Sequence, residues 1–278
     1  MRYSVFSSLR SYAARPRAWV ASFLTALFVI LIVLATWAWW RSITTHEPTY
    51  RGKRLSAWLE VLDPGKARPM GTQADLEAQE AIRHIGTNAI PQLLRLVRAR
   101  DTPLKLRLIG WAQKQHLINF HFKLAYQRRA AGYLGFQALG PLGTPAVPAL
   151  VDILTSDSLV EPRMIAAGSL GCIGPGARSA APALLHATKD TNEWVRNNAL
   201  CALNGILPDP QLAIPVLIAS LDDPLDMARE NAANCLGRYG PRAKAAVPAL
   251  VRTLSINRSA DDALRRIDPD AATKAGIR

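Results

Sequence analysis

The chain has 278 residues, 34 Lys+Arg against 21 Asp+Glu for a formal net charge of +13, and 49% apolar residues. That length can bury a sizeable core, and an Ala- and Leu-rich composition without alternating Val/Ile runs points to helix over strand. Three cysteines, Cys172, Cys201 and Cys235, show neither CxxC spacing nor clustering with histidine, which argues against a zinc site or a disulfide framework and for small buried thiols.

Residues 1–17 form a basic tail with Arg2, Arg10, Arg15, Arg17 and no acid. Residues 18–40 carry no charge and only Ser22, Thr25 and Thr36 as hydroxyl side chains. At about 1.5 Å per residue such a run crosses a hydrocarbon core of roughly 30 Å. Trp19 marks one end and Trp37, Trp39 and Trp40 the other, as interface belts do. A cleaved signal peptide is the alternative, but its apolar region is shorter and ends in small residues, unlike WAWWRS. The expectation is one transmembrane helix. The flanking charges tie locally. A short tetra-basic tail tends to stay in the cytosol, so the expected orientation has the N-terminus cytoplasmic and, in a bacterial inner membrane, the following domain periplasmic.

Residues 41–73 read as a tether with a short helix, Leu55 to Leu62, docking through Leu55, Trp58, Leu59 and Leu62; Asp63 to Thr72 reads as a loop. From residue 74 to 278 the chain reads as an array of helical hairpins. The phrases AVPALVDIL, AAPALLHAT, AIPVLIASL and AVPALVRTL place Pro148, Pro182, Pro215 and Pro248 at intervals of 34, 33 and 33 residues, and AIPQLLRLV supplies an earlier copy at Pro91. A fixed period in this range means a repeat array. In each unit a first helix precedes the phrase, and the phrase opens the second helix, where proline is tolerated in the first turn. Gly140-Pro141, Gly174-Pro175 and Gly240-Pro241 end first helices, glycine for a left-handed residue past the helix end and proline to stop the helix. Asp157, Asp190 and Asp223 sit between units, suited to capping the next helix. The last piece, RSADDALRRIDPDAATKAGIR, has the charge expected of a terminal cap.

Pro91 and Pro148 are 57 residues apart, so one period holds an insertion, read as a basic helix at about residues 101–124 with Leu104, Leu108, Trp111, Ile118 and Phe122 near one face. Arg95, Arg98, Arg100, Lys105, Arg107, Lys114, Lys123, Arg128 and Arg129 face a single acid, Asp101, between residues 93 and 129. Three readings stand. The helix puts its aromatics in the core and its cations in water; or the stretch contacts anionic lipid; or it contacts nucleic-acid phosphates, the reading a membrane anchor disfavours most.

The VR-x-x-A pattern of Val195, Arg196 and Ala199, the LG or IG helix exits and the AVPAL second helices resemble bacterial HEAT repeats of the phycobilisome-lyase type. The resemblance covers roughly residues 75–278. It implies an all-α fold, an α-solenoid of HEAT-like hairpins in the armadillo-type superhelical class, here preceded by one transmembrane helix. The layout is similar to membrane-anchored HEAT proteins without an assigned activity. The expected function is a non-enzymatic scaffold holding a protein partner on its concave face, with Trp194, Asn197, Asn198, Glu230, Asn231 and Tyr239, helix residues the repeat does not require, as candidate contact residues. The aligned Arg129, Arg163, Arg196 and Arg229 form either a basic ridge or, the favoured reading, a set of bonds within and between units.

An enzyme or enzyme accessory is the competing class. HEAT-type deoxyhypusine hydroxylases carry several His-Glu pairs that ligate iron; this chain has only His46-Glu47, in the tether. His116 and His121 are the histidines a lyase-like or hydroxylase-like reading would use, without a nearby acid at ligand spacing. No HExxH, GxSxG, Walker loop or CxxC is present, so the expectation is no catalytic residue, no metal and no cofactor.

Overall fold

The computed structural model describes residues 27–37, 47–63, 71–114 and 123–277. The chain divides into two units, residues 1–47 and 48–278. Of the first, the described part is helix α1, Leu27–Trp37. Its apolar side chains are all solvent-facing, from 44% for Leu27 to 65% for Phe28. Thr36 turns its hydroxyl back onto the carbonyls of Ile32 and Val33 at 2.9 and 3.0 Å, so its polar group is satisfied within the helix.

The second unit opens with a hairpin where the sequence predicts a plain tether. Thr49–Tyr50 (β1) and Lys53–Arg54 (β2) pair antiparallel, turned by Arg51 and Gly52, both at positive φ. The hairpin feeds α2, Leu55–Val61, which buries Leu55, Trp58 and Leu59. The Trp58 indole N–H donates to the Tyr50 carbonyl at 3.3 Å, and the Tyr50 ring stacks on His84 at 4.7 Å. The hairpin and α2 thereby close the open end of the array, docking on α3, Gln73–Ile85.

From α3 the first helices run in one row: α3, α6 (Ala125–Leu139), α8 (Val160–Ile173), α10 (Glu193–Ile206), α12 (Asp226–Tyr239) and α14 (Ala260–Ile267). The second helices are α4 (Ile90–Val97), α7 (Val147–Ser156), α9 (Ala181–Ala187), α11 (Pro210–Ser220) and α13 (Val247–Thr253). Between α4 and α6 lies α5, Pro103–Lys114, and α15, Pro269–Lys274, ends the chain. Residues Ala125–Ser156 are apolar and helical over a length that could cross a bilayer. Gly140 breaks this run into α6 and α7, and each buries a face in the solenoid.

The core is one continuous apolar band through the array, Ala- and Leu-rich, with Phe136 its largest fully buried side chain. Small residues let the first helices touch backbone to backbone. A Cβ on Gly171 would lie 2.9 Å from Ala202 Cα, one on Gly205 2.9 Å from the Gly171 carbonyl oxygen, and one on Gly237 3.1 Å from Ala263 Cα. The helix-ending glycines do take positive φ, +53° to +70° at Gly86, Gly140, Gly174 and Gly240. Their ψ, −130° to −140°, is not the left-handed helical value expected; it belongs to a region open essentially to glycine alone. The proline that follows starts not a plain loop but a 3₁₀ segment, as in Gly140–Ala146, Gly174–Ala180 and Gly240–Ala246. The α10–α11 connection has no glycine. Leu207 turns the chain at φ +48°, and the buried Tyr239 hydroxyl donates to the Pro208 carbonyl at 2.9 Å.

Candidate interaction surface

The loops between units share one edge, held by the aligned arginines. Arg163 donates Nε and Nη2 to both oxygens of Asp190, 27 residues on, at 3.1 and 3.0 Å, and Nη1 to the Asp157 carbonyl at 3.2 Å. Arg196 repeats this one unit later, to Asp223 at 2.6 and 3.0 Å and to the Asp190 carbonyl at 3.1 Å. Each guanidinium thus ties the loop before its helix to the loop after the next helix. The column is a structural ladder and not a free basic ridge.

The aspartates do not cap helices as the sequence suggests. Each accepts from the backbone N–H two residues on, Asp157 from Leu159, Asp190 from Asn192 and Asp223 from Leu225, all at 2.9 Å. The residue donating that bond is then the helix cap. Burial alone would raise the carboxyls of Asp190 and Asp223, but the arginine bonds, backed by the turn N–H, hold both below the usual range.

The ladder fails at both ends. Arg129 meets no aspartate; its Nη1 donates to the Ala99 carbonyl at 2.7 Å, Glu161 lies 3.6 Å from its Nη2, and Arg100 takes Asp157 at 2.9 Å. At the other end the aligned loop residue is Asn257, which accepts from the Ser259 N–H as the aspartates do but turns its amide N–H to the Arg229 carbonyl. Arg229 settles for Asp226 and the Ile256 carbonyl. Among the described residues, Nε of Arg129 and of Arg229 are buried without a hydrogen-bond partner.

The insertion leaves and returns at this same edge. Asp101 accepts from the Ala125 N–H at 2.6 Å, from Lys105 Nζ at 2.6 Å and from Arg128 Nη2 at 2.8 Å; Lys105 also reaches the Lys123 carbonyl at 2.9 Å. The Asp101 carboxyl, which burial would raise, is held low by Lys105 and by these further partners. Helix α5 departs from the expected packing: Trp111 is 64% exposed and Leu104 67%, so these two side chains do not enter the core, while the Leu108 side chain lies outside the described residues. The Lys114 side chain and residues 115–122, with His116, His121, Ile118 and Phe122, lie outside the described residues.

The basic candidates divide sharply. Arg98 pairs with Asp152, Arg100 with Asp157, Lys105 and Arg128 with Asp101, and Lys123 with Glu60. Asp152, Asp157 and Glu60 come from outside residues 93–129, so part of the local charge excess is neutralised in the fold. Arg95 and Arg107 are exposed and, among the described residues, make no ion pair.

Of the candidate partner residues, Trp194 stands out, 44% exposed at the start of α10. Met227, one period later on α12, is 49% exposed, and Ile256 in the following loop is 58% exposed. The others are engaged. Asn197 is buried and accepts from Asn231 Nδ2 across units at 2.9 Å; Asn198 donates back to the Trp194 carbonyl at 2.8 Å; Glu230 is half-buried; Tyr239 is 3% exposed, holding the Pro208 turn. Exposed Met227 and Ile256 escape the sequence reading, although Met227 shares the repeat position of Trp194.

A cavity of about 210 Å³ opens between α2, α4 and α6, floored by Leu59, Leu96, Ala130, Ala131 and Leu134. Only Cys235 is buried as expected; Cys172 is half-buried and Cys201 is exposed at the surface. Partial desolvation raises the thiols of Cys172 and Cys201, and burial pushes that of Cys235 to about 12, so all three stay protonated and weakly nucleophilic at neutral pH. Among the described residues no three His, Cys, Asp or Glu side chains gather where they could hold a metal ion.

A family model described as HEAT repeats matches over residues 147–227 and 181–267. Among solved structures the chain is similar to the complex of CpcE and CpcF of phycocyanin lyase from Nostoc sp. PCC7120, at 21% identity over 65% of this chain and 96% of that one, TM-score 0.40. It is also similar to an engineered protein, at 17% identity over 80% of this chain and 97% of that one, TM-score 0.41. Likenesses this distant carry no argument about function. No curated protein matches the chain. The family matches fall on the helix pairs that the arginine–aspartate ladder joins, and residues 147–267 of the chain are HEAT repeats.

Proposed function

We propose that the chain is a membrane-tethered, non-enzymatic HEAT-repeat scaffold that holds a protein partner along its loop edge. HEAT repeats serve as protein-interaction modules. The observation that carries the finer reading is the pair Trp194 and Met227, large apolar side chains exposed at the same position of neighbouring units where the surrounding polar groups are tied into the ladder. Exposed aromatics beside rigid, satisfied neighbours are what interface anchors look like. The apolar run at 18–40, its described part an exposed apolar helix, supports a bilayer anchor, with the repeats on the periplasmic side of a bacterial inner membrane.

Site-specific photo-crosslinking tests the partner reading. A crosslinker at Trp194 or Met227 should capture a common protein in intact cells, and one at the exposed Pro182 on α9 should not. No product from positions 194 and 227, or the same products from all three, would overturn it. Protease added to intact spheroplasts should cut the repeats; full protection would reverse the topology.

A further inference from the structure

The excursion between Asp101 and Ala125 is held at its root, and α5, its described helix, exposes large apolar side chains. Asp101 and Lys105 clip the two strands of the excursion together, which leaves α5 standing off the array. Leu104, Leu106 and Trp111 are 67%, 50% and 64% exposed. Leu104 and Leu106 lie about 200° apart around the helix axis, and Trp111 returns to the Leu104 side. Apolar side chains on opposite faces of one helix are therefore both in water, although a helix apolar on all sides is normally buried. Residues 102–123 contain no Asp or Glu and four cations, Lys105, Arg107, Lys114 and Lys123.

We propose that α5 is a lipid-surface foot, which sinks into the headgroup layer of an anionic bilayer with Leu104, Leu106 and Trp111 at the acyl boundary. Three observations favour lipid over another occupant. A short helix with Leu and Trp exposed beside Lys and Arg is the composition that lies in a membrane interface. The absence of any acid across residues 102–123 suits a negatively charged surface and no other. A nucleic acid would need several free cations for its phosphates, and Arg98, Arg100, Lys123 and Arg128 are already bound to Asp152, Asp157, Glu60 and Asp101. Aliphatic Leu104 and Leu106 would gain nothing from a phosphate backbone.

The foot goes beyond the scaffold reading and does not rest on the anchor. The full chain is reconstituted with nanodiscs of phosphatidylcholine alone and of phosphatidylcholine with phosphatidylglycerol, and amide exchange is followed at residues 103–114. Exchange there should slow about tenfold more in the anionic discs, equivalent to about 1.4 kcal/mol of protection. Leu104→Ser with Trp111→Ser should abolish that difference while α8 and α10 exchange as before, a control that the array is folded. Equal exchange in both disc types overturns the foot, as does protection by a DNA duplex equal to that by anionic discs. Co-elution of the chain with anionic discs only supports the foot and counts against the anchor; co-elution with both at equal α5 exchange does the reverse; co-elution with neither overturns both.

Discussion

The regular stretch from α8 to α12 and the interrupted stretch from α4 to α6 solve the same problem with one residue type. In the regular stretch an aspartate turns the loop by accepting from the N–H two residues on, and receives an arginine from the preceding first helix. In the interrupted stretch Asp101 accepts the Ala125 N–H 24 residues on and is neutralised by Lys105 and Arg128. An insertion is therefore tolerated where a carboxylate already pins both ends of the loop, because α5, the described helix between them, leaves Leu104, Leu106 and Trp111 outside the core.

The comparison breaks first at the ladder. Asp223→Ala strips the mostly buried Arg196 guanidinium of its partner and should cost about 3 kcal/mol, measured by chemical unfolding. The equivalent change at Asp222, whose pair with Arg252 is exposed on both sides, should cost less than about 0.5 kcal/mol. Equal effects would mean that the ladder does not hold the stack. Acid should act the same way. Asp190 and Asp223 have depressed folded-state pKa values, so their stabilisation is present above the unfolded value, about 3.9, and is lost as pH falls through the lower folded values. Asp223→Asn should flatten the stability profile below that point.

Backbone contact between first helices ranks next. Gly171→Ala places a methyl 2.9 Å from Ala202 Cα, where only backbone movement relieves the clash, for a loss of about 2 kcal/mol in the same unfolding measurement. Gly110→Ala in α5 meets nothing within 4 Å and should raise helix stability by up to about 1 kcal/mol. A gain at both sites would show that the first helices have room to spare where they cross.

Asn257→Asp should raise stability by about 1 kcal/mol, by giving Arg229 the carboxylate its counterparts have; a loss would show that the Asn257 amide bond to Arg229 outweighs an ion pair. A small change is expected from the largest deletion. Excising residues 102–123 returns Asp101 and Ala125 to the two-residue spacing of the regular loops, and should leave stability within about 1 kcal/mol, since removing a loop outside the stack changes chiefly its closure entropy. A larger loss would make α5 part of the core.

The array itself is legible in the sequence because its signals recur: prolines at fixed intervals, Gly-Pro exits and an arginine every 33 or 34 residues are visible without coordinates. That recurrence also favours a stacking role for the arginines, which the bonds to Asp190 and Asp223 bear out. What stays hidden depends on neighbours distant in sequence. Tyr239 looks available because it ends a helix, yet the missing glycine at Leu207 creates a turn that its hydroxyl fills. Asn197 and Asn231 look like a polar surface and are partners of each other. The charge of residues 93–129 looks unbalanced because its counter-ions, Asp152, Asp157 and Glu60, lie outside that window.

Asn257 also decides how the molecule comes apart. A linear array loses its units from an end, and the end that opens first is the one with the weaker tie to its neighbour. At the N-terminal end the Trp58 indole and the Tyr50–His84 stack fasten the first unit. At the C-terminal end Arg229 has no carboxylate from the following loop, so α14 and α15 are held by the Arg229–Ile256 and Asn257–Arg229 bonds, by an apolar face of Ala260, Ala263, Leu264 and Ile267, and by the contact of Asp268 with the exposed Lys244. Fraying should begin there and run toward Asp223, the first loop where a doubly bonded guanidinium stops it.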